Sequence, residues 1–236
     1  MILRQYLPEN QVFLCDGLQG LRKVLRTVPR SPGVTMLNLV VDRRGRVTGK
    51  NGSSRDISNQ IDYQSLMLLR EQADYILTTA KTARVEQYRR SRLAPLVLLS
   101  ESGNFDGIPA VESAEAGPKD SLVYLVFRST DPSGPAGRYR EPWVRVIDFG
   151  ELAQMNAAAE FVVAETGLFM SGHLISRNLI QEIAISVVGV RWNFDKAVNR
   201  TMQRLGIDDA TPYYLARVEN TVFVRFRNLK HVPPAE

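Results

Sequence analysis

The apolar residues of this chain change period repeatedly, and the changes mark its elements. Val34-Thr35-Met36-Leu37-Asn38-Leu39-Val40-Val41 is nearly continuous and partly β-branched, the pattern of a strand buried on both faces. Shorter runs of the same kind follow at Asp74–Thr79, within Ala94–Ser100, and at Leu122–Phe127, Trp143–Phe149 and Phe161–Ala164. A long one covers Ile180–Val190. Helical periods fall between them. Ile61, Ser65, Leu68 and Leu69 share one side of a helix that Ser58 caps and that runs through Arg70. Glu151–Ala159, Leu168–Ser176 and Asp195–Leu205 read as further helices, the last capped by Asp195 and stopped by Gly206. Tyr213–Val218 and Thr221–Arg225 form a closing hairpin about Glu219-Asn220. The stretch Gln11–Arg30 reads as a loose amphipathic lead-in closed by Pro29, Pro32 and Gly33. Asp42–Ser58, Lys81–Arg92, Glu101–Asp120 and Ser129–Glu141 are polar or rich in Gly and Pro, and read as connections. Strand and helix alternate throughout. The pattern predicts an α/β fold: a mostly parallel central sheet flanked by helices, ending in an antiparallel C-terminal hairpin.

Length and composition narrow the class. The chain has 236 residues, 44% hydrophobic and 23% charged, which fits one folded domain over residues 1–236 with residues 1–33 as an N-terminal lead-in. Cys15 is the only cysteine, so no intramolecular disulfide and no cysteine-based zinc site can form. No apolar run is long enough to cross a bilayer, and Met1-Ile2-Leu3-Arg4-Gln5 lacks the apolar core of a signal peptide, so a cytoplasmic protein is expected. The net charge of +5 is compatible with nucleic acid, an acidic membrane or small phosphorylated ligands. Arg43, Arg44 and Arg46 form one basic group. Arg89, Arg90 and Arg92 form another, which reads as a solvated basic face. Neither is interleaved with aromatic residues, and no nucleic-acid-binding signature is present, so neither nucleic acid nor membrane is expected as a partner.

Ligands of open parallel sheets bind beyond the carboxyl ends of the strands. Three strand ends carry suitable groups. Thr78-Thr79-Ala80-Lys81-Thr82 offers hydroxyls and a lysine at a strand-to-helix turn, able to bind phosphate. Glu165-Thr166-Gly167 precedes a helix, where a glycine lets the backbone approach a pyrophosphate. Ser100 ends its own strand. Each signal alone is weak, since a threonine-rich strand end is usually a cap and a lone glycine usually a turn. The P-loop, GxGxxG and HExxH motifs are absent. His173 and His231 are the only histidines, and neither has the surroundings of a hydrolytic triad.

Taken together, these segments resemble the reductase domain of riboflavin biosynthesis, the pyrimidine reductases, which have the dihydrofolate-reductase-like fold. The likeness runs from about Val34 to Arg227. It is carried by Val34–Gly45, Leu68–Asp74, Ile76–Tyr88 and Val163–Gly167, which match in order and spacing. The resemblance implies an NADPH-dependent oxidoreductase similar to 5-amino-6-(5-phosphoribosylamino)uracil reductase, passing hydride to a ribosylamino-pyrimidine phosphate without a metal. It implies that Thr82, with Thr79 and Lys81, meets the cofactor phosphates. Thr166, Gly167 and Leu168, next to Glu165, would wrap the pyrophosphate, and Ser100 would lie by the adenosine ribose. Glu86 would lie at the nicotinamide side, the catalytic position. Asn38, Asp42, Arg44, Ser54, Arg55 and Arg84 would face the substrate. A homodimer is implied about Ile180–Val190 and the closing hairpin, as an exposed apolar edge would be a liability in a monomer. The chain departs from the family where Asp42-Arg43-Arg44-Gly45 replaces Ser-Leu-Asp-Gly. Thr79 also stands where glycine is common, and Thr166 replaces the first of two glycines. Two other readings fit the residues: a reductase of the same fold with another small-molecule substrate, and a non-catalytic nucleotide-binding homologue.

Overall fold

Strands β1 (Ile2–Leu7) and β2 (Gln11–Leu14) and helix α1 (Gly17–Arg26) come first in this computed structural model, which describes residues 1–28, 31–118, 120–127, 135–190 and 192–231. They are followed by β3 (Val34–Asp42), α2 (Gln60–Gln72), β4 (Tyr75–Thr79), α3 (Ala80–Val85), β5 (Leu96–Leu99), α4 (Pro109–Glu112), β6 (Val123–Val126) and β7 (Val144–Ile147). The chain continues through α5 (Phe149–Ala158), β8 (Phe161–Ala164), α6 (Leu168–Ser176), β9 (Glu182–Val188), α7 (Asp195–Arg204), β10 (Ile207–Val218) and β11 (Thr221–His231). Two compact units divide the chain. The first comprises Met1–Ser31, Thr35–Leu69 and Gly167–Glu236, and the second Pro32–Val34 and Arg70–Thr166.

In the first unit the strand order is β2-β1-β10-β11-β9-β3. Strands β3 and β9 run parallel, with Asn38 opposite Ala184 and Asp42 opposite Val188, and the other pairs are antiparallel. Alternation along the hairpin sends Tyr214, Ala216, Val218 and Phe223 into one core with Leu21 and Leu25 of α1 and Ile61 and Leu68 of α2. The opposite parity, Leu215, Val224 and Phe226, meets Val198 and Met202 of α7 around a groove of about 590 Å³. The second unit is a parallel sheet in the order β8-β4-β5-β6-β7. Its β4 and β5 are buried along nearly their whole length, as continuous apolar runs require. The α/β class, the parallel strands and the antiparallel C-terminal hairpin are those expected.

Several local expectations are corrected. The lead-in is part of the first unit's sheet: Leu3 pairs with Val218 across β1 and β10, and Leu3 and Leu21 are fully buried. Its closing Pro29 lies outside the described residues, as do residues 129–134 of the Ser129–Glu141 connection. Helix α2 is capped by Asn59, not Ser58. The Asn59 side-chain oxygen accepts the Asp62 N–H at 2.9 Å, and its amide donates to Thr221 Oγ1 at 2.8 Å. Ser58 instead donates to the Asp62 carboxylate at 2.5 Å. Asp195 is the first residue inside α7 rather than its cap, and Phe194 precedes it. Strand β9 is no edge, because β11 and β3 pair with it on either side, and both strands of the closing hairpin are likewise paired on both sides. In the first unit β2 ends the strand order as an edge strand, and its Val12 and Leu14 are exposed.

Arg90 is not solvated. It is 3% exposed, and its guanidinium donates to the carbonyls of Ser113, Ala114, Gly117 and Pro118 at 2.6–3.1 Å. It also stacks 4.2 Å from the Trp143 ring. The glycine- and proline-rich connection after β5 is therefore folded around a buried cation, and α4 lies within it.

Candidate functional site

In the second unit the parallel register of β8, β4 and β5 sets three expected strand ends side by side. Leu77 lies opposite Ala164, and Thr79 opposite Leu99. Thr78-Thr79, Ser100 and Glu165-Thr166 therefore leave neighbouring strands at their carboxyl ends, where helix-forming crossovers leave room for a ligand. Thr79 is the N-cap of α3. Its hydroxyl accepts the Thr82 N–H at 3.0 Å and donates to the Thr82 hydroxyl at 3.0 Å, so these two threonines hold each other. Lys81, between them, is exposed. Glu86 is buried and closes α3. Ser100 is half-buried, with its N–H on the Val126 carbonyl at 3.0 Å and its hydroxyl 3.4 Å from that of Ser102.

Glu165 is the electrostatic centre of this unit. Its carboxylate takes a two-pronged contact from Arg70, Nε to Oε1 at 2.7 Å and a terminal nitrogen to Oε2 at 2.6 Å, and a short hydrogen bond from the Tyr88 hydroxyl. The Arg70 guanidinium also lies 5.1 Å from the Tyr88 ring centroid. Burial by itself would lower the Arg70 pKa, but the adjoining Glu165 charge and its hydrogen bonds hold it above the ordinary arginine value. Burial, then the Glu165 charge, pushes Tyr88 well above an ordinary tyrosine. The main chain of Glu165 is fixed as well: Thr78 Oγ1 donates to its carbonyl at 2.7 Å, and its N–H reaches Leu77 O at 2.8 Å. Glu165 thus anchors the end of β8, and its carboxylate is already engaged. Thr166 is buried beside it. Arg84 braces a loop, donating to the carbonyls of Asp106 at 2.7 Å and Asn104 at 3.2 Å.

In the first unit the end of β3 is a tight turn. One Asp42 oxygen accepts the N–H groups of Arg44 and Arg46 at 2.9 Å each, and the other binds the Arg46 guanidinium at 2.7–2.8 Å. Desolvation opposes the Asp42 charge, but these hydrogen bonds and the Arg46 charge prevail and lower its pKa. Arg43 and Arg44 are exposed. Asn38 lies half-buried within β3, on the same side of the strand as Asp42. Ser54 and exposed Arg55 sit in a 3₁₀ turn whose preceding residue, Ser53, accepts the Arg55 N–H at 3.1 Å. Gly167 is the N-cap of α6, with φ −66° and ψ 158°, and a Cβ built there meets nothing within 4 Å. No side chain caps the first turn of α6, and Leu168 is buried. His173 is exposed against Arg177, and the His231 side chain lies outside the described residues. Among the described residues no group of three His, Cys, Asp or Glu could hold a metal.

Sequence reasoning missed Arg70 and Tyr88, which stand 95 and 77 residues from their partner and so leave no local signal. It also missed Arg200 and Arg204, whose spacing on α7 was visible. They donate to the carbonyls of Arg44 and Gly45 at 3.3 Å.

No protein-family model and no curated protein sequence matches the chain. Solved structures do. A pyrimidine reductase-like protein from Corynebacterium diphtheriae matches with a TM-score of 0.62 over 90% of this chain and 99% of its own, at 18% identity. A diaminohydroxyphosphoribosylaminopyrimidine deaminase/5-amino-6-(5-phosphoribosylamino)uracil reductase from Thermotoga maritima matches 82% of this chain at a TM-score of 0.59 and 12% identity. The match spans only 56% of that longer chain. The riboflavin biosynthesis reductase of Saccharomyces cerevisiae matches at a TM-score of 0.53 and 14% identity, over 86% of this chain and 93% of its own. The chain has the fold of the pyrimidine reductases, the fold that its motif order implied.

Proposed function

We propose that the chain is an NADPH-dependent oxidoreductase of pyrimidine-reductase type, acting on a phosphorylated ribosylamino-pyrimidine. The observation that carries the reading is the alignment of Thr78–Thr82, Ser100 and Glu165-Thr166 at neighbouring parallel strand ends, in a fold shared with such reductases. The residues fit the cofactor. Exposed Lys81 offers a cation, Ser100 a hydroxyl, and the uncapped start of α6 at Gly167 has open space where a side chain would stand. NADPH would supply the hydride, and its extra ribose phosphate favours a basic protein. The chain's part is positional: Thr82 and Lys81 hold phosphate, Thr166, Gly167 and Leu168 take the pyrophosphate, and Glu86 flanks the nicotinamide. Arg44 takes the substrate phosphate. Asp42 closes the turn on Arg46, in place of the usual family residues, and that favours a second reading in which the fold and cofactor stay while the substrate differs.

Calorimetric titration with NADPH and NADH tests the proposal. NADPH should bind, and more tightly than NADH, and a substrate screen then separates the two readings. No heat and no thermal shift with either nucleotide would defeat both. We also place the protein in the cytoplasm, a compartment compatible with the buried free thiol of Cys15, and expect a homodimer by light scattering.

A further inference from the structure

We propose that the turn at residues 42–46 and helix α7 together form a binding site for the phosphomonoester of a small metabolite, with Arg200 and Arg204 as ligands beside Arg44. The site deepens the reading of a phosphorylated substrate. It relies on that reading for the identity of the metabolite, and not for the phosphate.

The turn sits directly on α7. Gly45 has φ +75°, and a Cβ built on it would lie 2.9 Å from the Ala197 carbonyl and 3.2 Å from the Arg200 Cβ, so only glycine permits this approach. Arg200 and Arg204, four residues apart, lie on one side of the helix. One terminal nitrogen of each reaches across to the turn, to Arg44 O and Gly45 O. A guanidinium has five N–H donors in a rigid fork, so each arginine keeps donors for an anion. The anchoring bond reduces the rotamer freedom that binding would otherwise remove. Arg43 and Arg44 extend from the same turn into solvent. Among the described residues no carboxylate pairs with Arg43, Arg44, Arg200 or Arg204, because Asp42 is occupied by Arg46. The turn and the helix it rests on thus carry four guanidiniums without a carboxylate partner, and a doubly charged phosphate offsets such a concentration of positive charge with bidentate bonds. No aromatic residue occurs in 42–46 or 196–204, so neither segment itself offers a platform on which bases of a nucleic acid would stack.

The intact protein is titrated with ribose 5-phosphate, with ribose as the control. Ribose 5-phosphate should bind and ribose should not. Affinity should fall at least about tenfold in Arg200→Gln/Arg204→Gln, the loss expected when a charge-assisted hydrogen bond is removed. Arg44→Gln, at a side chain with no structural bond, should lose a similar factor and serves if the double variant unfolds. Unchanged affinity in a folded variant, or equal binding of ribose, overturns the site. Tighter binding of a single-stranded oligonucleotide, lost in the same variants, overturns the small-ligand assignment. NADPH titrations of the same samples separate the two ideas. A protein that binds phosphate through these arginines but never binds NADPH keeps the site and loses the reductase. One that binds NADPH with phosphate affinity indifferent to the arginines does the reverse.

Discussion

Glu165 shows how a residue's place in the fold can be legible while its contacts stay hidden. Its place at the end of β8 follows from the Val163–Gly167 stretch, but its partners come from distant segments, and no spacing rule connects residue 165 with residues 70 and 88. Because the Glu165 side chain is 8% exposed and that of Arg70 19%, removing the carboxylate charge leaves a largely covered guanidinium without its partner. Glu165→Gln should therefore destabilise the fold by about 3–5 kcal/mol in urea unfolding. Tyr88→Phe removes only one hydrogen bond to a charged group and should cost about 1.5–3 kcal/mol. A Glu165→Gln protein as stable as wild type would mean that water reaches the pair. Gly167 calls for the opposite outcome. Its φ of −66° suits any residue and the space beside it is open, so Gly167→Val should fold normally. If pyrophosphate occupies that space, the variant binds NADPH more weakly, and unchanged affinity in the folded variant makes Gly167 a plain helix start.

At the scale of elements, what was legible depended on how each element is buried. Strands β4, β5 and β8 are covered on both faces and β3 fully on one, so their runs are continuous or nearly so and stand out. Helix α6 was placed at its observed ends because a glycine precedes it and the apolar period begins at once. Strands β1 and β2 escaped because they lie at the margin of a sheet, where only alternate residues such as Leu3 need to be apolar, and polar Arg4 and Gln5 break the run. Arg90 escaped for a different reason. In sequence it sits among other arginines, and only the fold closes four carbonyls around it. Arg90→Ala should leave those carbonyls without a donor and release residues 113–118, seen as faster amide exchange there than in β4. Equal exchange would show that the loop holds itself. The turn after β3 belongs to the same scale. Gly45→Ala combines a positive φ with a 2.9 Å approach to the Ala197 carbonyl, and should cost about 2–4 kcal/mol through strain and overpacking together. A loss under about 0.5 kcal/mol in chemical unfolding would mean that the turn moves off α7 freely.

For the molecule as a whole, the fold was readable because several segments fall in a fixed order and spacing, which survives even where single residues differ from the pattern they resemble. What no motif announces is the chain's response to alkali. Each unit buries a tyrosine. Tyr75, 3% exposed, donates to Asn156 Oδ1 at 2.8 Å, and burial, with the Asp74 charge, raises its pKa strongly. Tyr214, 1% exposed, is pushed up to about 12 by burial, against the opposing Arg225 charge. In the unfolded chain both phenols lose their protons near pH 10. Above that pH the unfolded state therefore binds fewer protons than the folded one, and stability falls as pH rises. The contribution is complete below about pH 10. It is lost through the range up to the folded values, at up to about 1.4 kcal/mol per pH unit for each tyrosine. Urea midpoints at about pH 9 and about pH 11 should differ accordingly, and the tyrosinate absorbance of these two residues should appear only with unfolding. Tyr75→Phe/Tyr214→Phe should lessen the dependence by the share of these two groups, because phenylalanine has no proton to lose, while Tyr88 and Tyr213, also raised by burial, keep theirs. If the double variant loses stability between the two pH values as steeply as wild type, the alkaline sensitivity arises from other groups and these phenols are accessible to water.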